Sequence, residues 1–177
     1  MKKVLVIVGH TGAGKSTVCE KLAKLYDIPL ISFAEVGKKI SNNLGYKRIR
    51  ECYKSIGVAE FKNVFSKFFF DRISECLKES DFLLVDGLYL DDIATKLRES
   101  YETLYVYIEV PEGMCIKRVA ERLNESYEQV VDEYKLKENL KETLGNTYII
   151  NTADIIINGA KPKEDVCEDI INLCFLI

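Results

Sequence analysis

Short apolar runs alternate with longer stretches of helical periodicity along this chain, and this alternation gives the first indication of its structure. β-Branched and aromatic residues dominate the short runs, which predicts strands at 3–8, 29–32, 82–86, 103–110 and 154–158. Apolar residues spaced three and four apart predict helices at 14–26, 34–43, 58–80, 90–100, 111–123, 126–144 and 162–175. Because strands that alternate with helices form parallel sheets covered on both faces, we expect a five-stranded α/β fold.

The composition narrows the class of protein. A length of 177 residues suits one domain, and a net charge of −3 gives no general attraction to nucleic acid or to an anionic membrane. The six cysteines are scattered and there is one histidine, so neither a zinc site nor a disulfide framework is expected. No signal-type segment precedes the first strand, and we therefore expect a cytoplasmic protein, either a monomer or a homodimer, that acts on small molecules.

Residues 9–16 read GHTGAGKS and directly follow the first predicted strand. They fit the G-x-x-x-x-G-K-[ST] loop, in which glycines with positive φ bring backbone N–H groups close to phosphate oxygens. Lys15 adds a positive charge, Ser16 offers its hydroxyl to Mg²⁺, and the following helix favours an anion at its N-terminus. We expect a nucleoside triphosphate to be held by Gly9, Thr11, Gly12, Ala13, Gly14, Lys15, Ser16 and Thr17. His10 occupies a variable position of the loop, and we expect no metal or general-base role for it.

A carboxylate stands at the end of the third predicted strand. Four apolar residues, 82–85, lead to Asp86, and ligands of open α/β sheets gather at the carboxyl ends of the strands. An acid in this position can hold Mg²⁺ or its water beside Ser16. The alternative is an aspartate that caps a turn or the next helix.

At this point the chain resembles the nucleoside monophosphate kinase superfamily, which includes adenylate and cytidylate kinases and their dephospho-coenzyme A kinase relatives. The resemblance covers almost the whole chain and is carried by the loop at 9–16, by 31–38, by two arginines after the fourth strand, and by 153–160. It implies a three-layer P-loop NTPase fold in a single kinase domain over 1–177. Within that domain it implies an acceptor-binding helical insertion at 33–80 and a short helical lid at 112–146.

The same resemblance suggests roles for individual residues. Glu35 and Lys38 match an acidic and a positively charged side chain that such kinases place near the acceptor phosphate. Arg118 and Arg122 match the arginines at the start of a kinase lid. The catalytic residues implied are Lys15, Arg118, Arg122 and Glu35. The turn formed by Asn158, Gly159 and Ala160 resembles the loop that lies against adenine in dephospho-coenzyme A kinases. Of the lid lysines Lys135, Lys137 and Lys141, the sequence does not select the one that reaches the transferred group.

Four cations, Lys47, Arg48, Arg50 and Lys54, lie between the second and third predicted strands, where such kinases insert acceptor-binding helices. An anionic acceptor suits the two arginines, because a planar guanidinium binds phosphate through two parallel hydrogen bonds. The alternative is a solvated surface helix. We assign Glu35, Lys38, Arg48 and Arg50 to acceptor binding.

The expected activity is transfer of the γ-phosphoryl group of Mg·ATP to a phosphate-bearing small molecule. Residues 32–34 read SFA at the place where dephospho-coenzyme A kinases carry an aspartate that acts as the general base. The absence of that aspartate favours a nucleoside or deoxynucleoside monophosphate as acceptor. A dephospho-coenzyme A kinase-like enzyme and a non-catalytic ATP-binding protein remain alternatives. A GTPase is disfavoured because no N-K-x-D motif follows a strand.

Overall fold

All five apolar runs join one parallel sheet in the computed structural model, which describes residues 2–174. The strands are β1 (Lys3–Val8), β2 (Leu30–Ser32), β3 (Phe82–Asp86), β4 (Glu102–Glu109) and β5 (Ile155–Asn158), in the order β2-β3-β1-β4-β5. Their bounds differ from the predicted ones by at most one residue at either end. The expected five-stranded α/β fold of the P-loop NTPase kinases is confirmed.

The helices connect these strands and cover the sheet. They are α1 (Lys15–Tyr26), α2 (Phe33–Asn43), α3 (Ile49–Ile56), α4 (Val58–Glu79), α5 (Asp91–Ser100), α6 (Glu112–Leu123), α7 (Tyr127–Leu144), α8 (Asn146–Asn151) and α9 (Lys163–Cys174). Helices α3 and α8 are not among those predicted from apolar spacing, although α3 lies within the helical insertion that the resemblance implies at 33–80. The final residue of the last predicted helix, Phe175, lies outside the described residues. Between residues 2 and 174, no helix is long and apolar enough to cross a membrane.

Successive residues of β1 point to opposite faces of the sheet, and each face carries its own core. Val4 and Val6 pack into a core formed with α2, α4 and α5, whereas Leu5 and Ile7 pack into one formed with α1, α6 and α9. The aromatic run of α4 belongs to the first of these cores: Phe61, Phe65 and Phe69 are buried there, and Phe68 and Phe70 pack against it. It therefore serves packing and does not form a base-stacking surface.

Because the strands are parallel, their carboxyl ends meet at one edge of the sheet. The register pairs Ile7 with Asp86 and Glu109 with Asn158, so the segments that follow β1, β3 and β5 emerge side by side. Helix α7 crosses this edge. Its early residue Tyr134 lies in the core on one face, and its last residue, Leu144, lies in the core on the other.

Candidate nucleotide and acceptor site

The loop between β1 and α1 has the backbone that phosphate binding requires. Gly12 and Gly14 adopt φ values of 85° and 96°, as the motif predicted. At Gly12 a Cβ atom would lie 2.4 Å from the carbonyl oxygen of Cys115 in α6, so a side chain is excluded by space as well as by φ. Helix α1 begins at Lys15, and its free N–H groups therefore face the loop.

Lys15 lies inside this loop, where its Nζ donates a hydrogen bond of 2.8 Å to the carbonyl oxygen of His10. Loss of hydration, together with the charge of Lys141, lowers the pKa of Lys15 to about 8, although the carboxylates of Asp86 and Glu138 act in the opposite direction. An ammonium group that is poorly hydrated and close to a second cation gains from the arrival of a polyanion. The electrostatics of the loop thus favour phosphate.

Asp86 is 8 % exposed and lines the same cavity as Ser16 and Lys15. Among the described residues it makes no side-chain hydrogen bond or ion pair, so it does not cap the following helix, α5. A buried carboxylate normally has a charged or hydrogen-bonding partner. Its chemistry and its position beside a serine hydroxyl fit a magnesium ion held by Asp86 and Ser16.

A cavity of about 1290 Å³ opens at this edge of the sheet. Its size exceeds that of an ordinary site for one small ligand, which rarely passes about 1,000 Å³, and is consistent with two substrates. All the predicted loop residues line it: Gly9, Thr11, Gly12, Ala13, Gly14, Lys15, Ser16 and Thr17. Of the turn after β5, Gly159 lines the cavity, whereas Asn158 and Ala160 are not among its lining residues.

The turn after β5 is fixed by contacts with β4 and α6. Asn158 Oδ1 accepts a hydrogen bond of 2.9 Å from the backbone N–H of Ala160, and Arg118 Nη2 donates one of 3.0 Å to the carbonyl oxygen of Gly159. Arg118 therefore lies at the turn predicted to face adenine. Arg122, one helical turn further along α6, is exposed, lines the cavity and has no ion-pair partner within residues 2–174.

The predicted acceptor residues separate into two groups. Arg48 and Arg50 line the cavity, and Arg50 Nη1 lies 3.3 Å from Glu133 Oε2 of α7. Glu35 and Lys38 are exposed on α2 and are not among the lining residues. The physical reason lies in the N-terminus of α2: Ser32 caps the helix, and the first-turn residues 33 and 34 face the cavity in place of Glu35 and Lys38. The structure gives no support to acid–base or acceptor roles for these two residues.

The remainder of the acceptor end is apolar. Its lining residues there are Phe33, Ala34, Ile49, Leu88 and Tyr89. The Phe33 and Tyr89 rings meet edge to face with centroids 4.8 Å apart. Burial raises the pKa of the Tyr89 hydroxyl, which keeps this residue neutral. Two arginines beside an aromatic floor form a pocket suited to a small anion that carries a flat or ring-shaped body.

Sequence reasoning missed one buried acid. Glu138 of α7 contacts the phosphate loop through Thr11 and His10, and Lys141 on the same helix joins it there. A signal existed in the sequence: residues 130, 134 and 138 lie four apart on one face of the helix, and the first two are apolar and buried. A charged residue that continues a buried stripe indicates a specific partner.

A glycine-rich loop between β1 and α1, a buried acid at the end of β3 and a helix over the same sheet edge form the arrangement of a P-loop kinase-like protein. The chain belongs to the AAA domain family, whose sequence profile matches residues 8–137. The predicted membership in the P-loop nucleoside monophosphate kinase-like superfamily is confirmed at this level.

Known proteins support the enzyme class. The chain is 24% identical over 169 residues to a shikimate kinase of Corynebacterium efficiens, and the match covers 94% of each. The crystal structure of the shikimate kinase of Aquifex aeolicus has a TM-score of 0.61 with 22% identity over 96% of this chain and 94% of the other. That of a gluconokinase of Sinorhizobium meliloti has a TM-score of 0.60 with 16% identity over 94% and 88%. The predicted class, an ATP-dependent phosphotransferase, is confirmed.

Proposed function

We propose that this protein transfers the γ-phosphoryl group of Mg·ATP to a small anionic acceptor. The observation that carries the proposal is that the phosphate loop, Asp86 and the arginine-bearing pocket open into one cavity large enough for both substrates. Catalysis in such a site rests on positioning the two substrates and neutralising charge, because phosphoryl transfer requires little covalent chemistry from the protein.

The nucleotide half of the site has a division of roles. The loop amides and Lys15 hold the phosphate chain, and Arg118 is proposed to lie against the base, since its guanidinium is already bonded to Gly159. Arg122 is exposed to the cavity without a partner among the described residues and is proposed to close over the charge that develops during transfer. The sequence led us to expect that both Arg118 and Arg122 are catalytic arginines of the lid, whereas we now propose that role for Arg122 only.

Ser16 and Asp86 would hold the magnesium ion. The ion supplies neutralisation of the phosphate oxygens, which lowers the electrostatic cost of bringing an anionic acceptor close. Asp86 contributes a charge fixed at the end of β3, and Gly87 anchors that end through the hydrogen bond of 2.9 Å from its N–H to the carbonyl oxygen of Ile7.

For the acceptor, we propose a phosphate-bearing compound of the nucleoside or deoxynucleoside monophosphate type. The carboxylates that line the cavity are Asp86, Glu121 and Glu133. Asp86 lies beside the phosphate loop, Glu121 lies on α6 next to Arg122 in the nucleotide half, and Glu133 is paired with Arg50. We therefore place no free general base at the acceptor end among the described residues. A phosphate monoester suits such a pocket because it is already ionised near pH 7 and needs no base.

A second acceptor class follows from the relatives. Shikimate and gluconate, from which the related kinases take their names, are hydroxy carboxylates, and Arg48 and Arg50 suit a carboxylate as well as a phosphate. Transfer to a hydroxyl requires removal of its proton, and Asp86 is the lining carboxylate that would have to serve. Dephospho-coenzyme A, also a hydroxyl acceptor, is included in the test for the same reason.

The test is a panel of acceptors incubated with Mg·ATP, with ADP release compared against a control without acceptor. Nucleoside and deoxynucleoside monophosphates, dephospho-coenzyme A, shikimate and gluconate form the panel. ADP formed with one monophosphate supports the first acceptor class, and ADP formed with a hydroxy acid replaces it with the second. ADP formed equally without acceptor, or not at all, contradicts the kinase and favours an ATPase or a binding protein.

Variants tie any activity to this site. Lys15→Ala is expected to lower kcat by orders of magnitude, and Arg50→Gln to raise the KM of the acceptor with less effect on that of ATP. Arg72→Gln is the matched control, because Arg72 is an exposed residue of α4 paired with Glu75 outside the cavity lining. Unchanged turnover in Lys15→Ala would mean that the activity arises elsewhere.

A further inference from the structure

Glu138 is a buried charge in a helix whose other charged residues are exposed, apart from the partly buried Lys141. It lies in the middle of α7, where that helix crosses the carboxyl edge of the sheet, and it is 8 % exposed. Asp86 and Glu138 are the two acids buried to this degree among residues 2–174. Asp86 belongs to the proposed magnesium site, whereas Glu138 so far has no assigned role.

Both carboxylate oxygens of Glu138 are used. Oε1 accepts hydrogen bonds from the backbone N–H of Thr11 at 3.1 Å and from the Thr11 hydroxyl at 2.6 Å, and Oε2 lies 2.8 Å from His10 Nδ1. Lys141 Nζ donates both to Oε1 and to the Thr11 hydroxyl, at 2.7 Å each. One side chain of the lid helix therefore joins two residues of the phosphate loop to a cation of its own helix.

The network keeps Glu138 ionised despite its burial. Burial raises the pKa of a carboxyl group, but here the hydrogen bond from His10 and the charge and hydrogen bonds of Lys141 and Thr11 hold the pKa of Glu138 well below its usual range. A buried charge is strongly unfavourable unless such partners surround it. Packing alone would be satisfied by an apolar side chain at this position, so the charge points to a task at the loop.

The partner through which Glu138 can act at the loop is Lys141, which donates a hydrogen bond to its carboxylate. The Lys141 Nζ lies 2.7 Å from the Thr11 hydroxyl, so the charge of Lys141 lies at the same loop that carries Lys15. Both line the cavity. Of the other lid lysines, Lys137 also lines the cavity, but Lys135 and Lys137 are both exposed and neither forms an ion pair within the described residues.

We propose that Glu138 is a positioning residue that ties the lid helix to the phosphate loop and directs Lys141 toward the phosphate chain of ATP. The inference rests on the proposed function and deepens it, because it selects Lys141 among the three lid lysines as the cation that meets the transferred group. Glu138 itself touches neither substrate. It acts by fixing where the Lys141 ammonium lies when ATP enters.

The test compares Glu138→Gln with Glu142→Gln. Glutamine keeps an oxygen for the Thr11 N–H but removes the charge that pairs with Lys141, whereas Glu142 lies one turn further along α7 and is exposed. Misplacing the cation is expected to lower kcat roughly 10- to 100-fold with a smaller change in the KM of ATP. Glu142→Gln is expected to leave both unchanged. Thermal unfolding is recorded for each variant, so that loss of fold is separated from loss of rate, and Glu138→Asp provides a second, charge-retaining variant that should recover part of the rate.

A double variant separates positioning from a purely structural role. If Glu138 acts through Lys141, Glu138→Gln combined with Lys141→Met has the same kcat as Lys141→Met alone. An unchanged kcat in Glu138→Gln, or a double variant whose losses multiply, overturns the inference.

The proposed function can fail independently of this inference. If the wild-type protein turned over no acceptor, the same variants would be compared by equilibrium binding of Mg·ATPγS. Weaker binding in Glu138→Gln and in Lys141→Met, with no further loss in the double variant, would still support the positioning role. Equal affinity in all variants would overturn it.

Discussion

At the scale of single residues, the charge of Lys15 is unfavourable in the unliganded loop but is required for phosphate binding. The unliganded loop disfavours its charge, since loss of hydration and the charge of Lys141 lower its pKa to about 8, whereas phosphate binding requires that charge. The dissociation constant of Mg·ATP is therefore expected to be nearly constant below pH 7 and to rise above about pH 8, by up to about tenfold per pH unit. Titration calorimetry between pH 6.5 and 9.5 measures this, and a constant affinity across that range would contradict the assignment.

The control for Lys15 is Lys141→Gln. Removing the neighbouring charge is expected to move the onset of affinity loss to higher pH, even where the affinity itself is lower. The lowered pKa of Lys15 has the opposite effect on the stability of the fold, which increases with pH where ATP affinity decreases. Between about pH 8 and the ordinary lysine pKa of 10.5, the unfolded chain binds more protons than the folded one, so the Lys15 contribution to the stability of the unliganded protein rises with pH.

Gly159 carries the second residue-scale prediction. A Cβ atom there would lie 2.3 Å from Ile108 Cγ2 and 2.6 Å from Val110 Cγ2, so Gly159→Ala must displace the turn from β4. We expect a loss of about 1–3 kcal/mol in the free energy of unfolding, together with weaker ATP binding because Arg118 is bonded to this turn.

Gly113→Ala is the matched control for Gly159→Ala. Gly113 lies in the first turn of α6, and a Cβ atom added there would have no neighbour within 4 Å. Alanine at this position is expected to raise the free energy of unfolding by about 0.5–1 kcal/mol, because glycine loses more backbone freedom in a helix. Urea denaturation measures both changes. Equal effects of the two substitutions would show that the turn tolerates a side chain.

At the scale of elements, α7 is connected to α3 as well as to the phosphate loop. The Arg50–Glu133 pair joins the two helices across the acceptor end, with side chains 29 % and 49 % exposed. A pair this exposed contributes at most about 1 kcal/mol, so an anionic acceptor can displace Glu133 from Arg50. Glu133→Gln is expected to lower the KM of the acceptor about two- to fivefold with little change in the melting temperature.

Asp132→Asn on the same helix is the control for Glu133→Gln, since Asp132 is exposed and forms no ion pair among the described residues. Steady-state kinetics with the acceptor identified by the panel measure both variants. A raised KM in Glu133→Gln would mean instead that Glu133 itself binds the acceptor, through a positively charged group on that molecule.

Local pattern identified the long elements because their apolar period is strong, and it missed α3 and α8 for different reasons. Helix α3 does have apolar residues at helical spacing, namely Ile49, Cys52 and Ile56, but the four cations within 47–54 favoured an interpretation of this segment as an acceptor-binding site. Helix α8 has six residues, which is too short for a periodic signal, and it begins directly after Gly145, whose left-handed φ of 113° ends α7.

At the scale of the whole molecule, the sequence could predict those parts of the candidate site that follow a motif along the chain. The phosphate loop and Asp86 were predictable because each is a short pattern at a strand end. The contacts of Glu138 with Thr11 join residues 127 positions apart, and the capping of α2 that takes Glu35 out of the cavity depends on how the helix meets the sheet. Such relations depend on packing between elements, which no local pattern encodes.

The nucleotide site also links the two cores of the molecule, and this gives a prediction for the whole chain. The proposed ligands of Mg·ATP come from the β1 loop, the end of β3, the turn after β5 and α6, so binding should stabilise the fold as a unit. At 100 times its dissociation constant, Mg·ATP is expected to add about 2.7 kcal/mol to the free energy of unfolding. For a chain of this length, that corresponds to a melting temperature raised by roughly 5–11 °C.

Scanning calorimetry with Mg·ATP, and with ATP plus EDTA, separates the contribution of the metal. Asp86 is the buried acid proposed to hold the ion. In Asp86→Asn, the melting temperature with Mg·ATP should therefore equal that with ATP plus EDTA, and the stabilisation by metal-free ATP should be retained. Glu99→Gln, an exposed change on α5, should behave like the wild type. A magnesium-dependent shift that persists in Asp86→Asn would move the metal away from β3, and the roles proposed for Asp86 and Ser16 would have to be assigned to other residues.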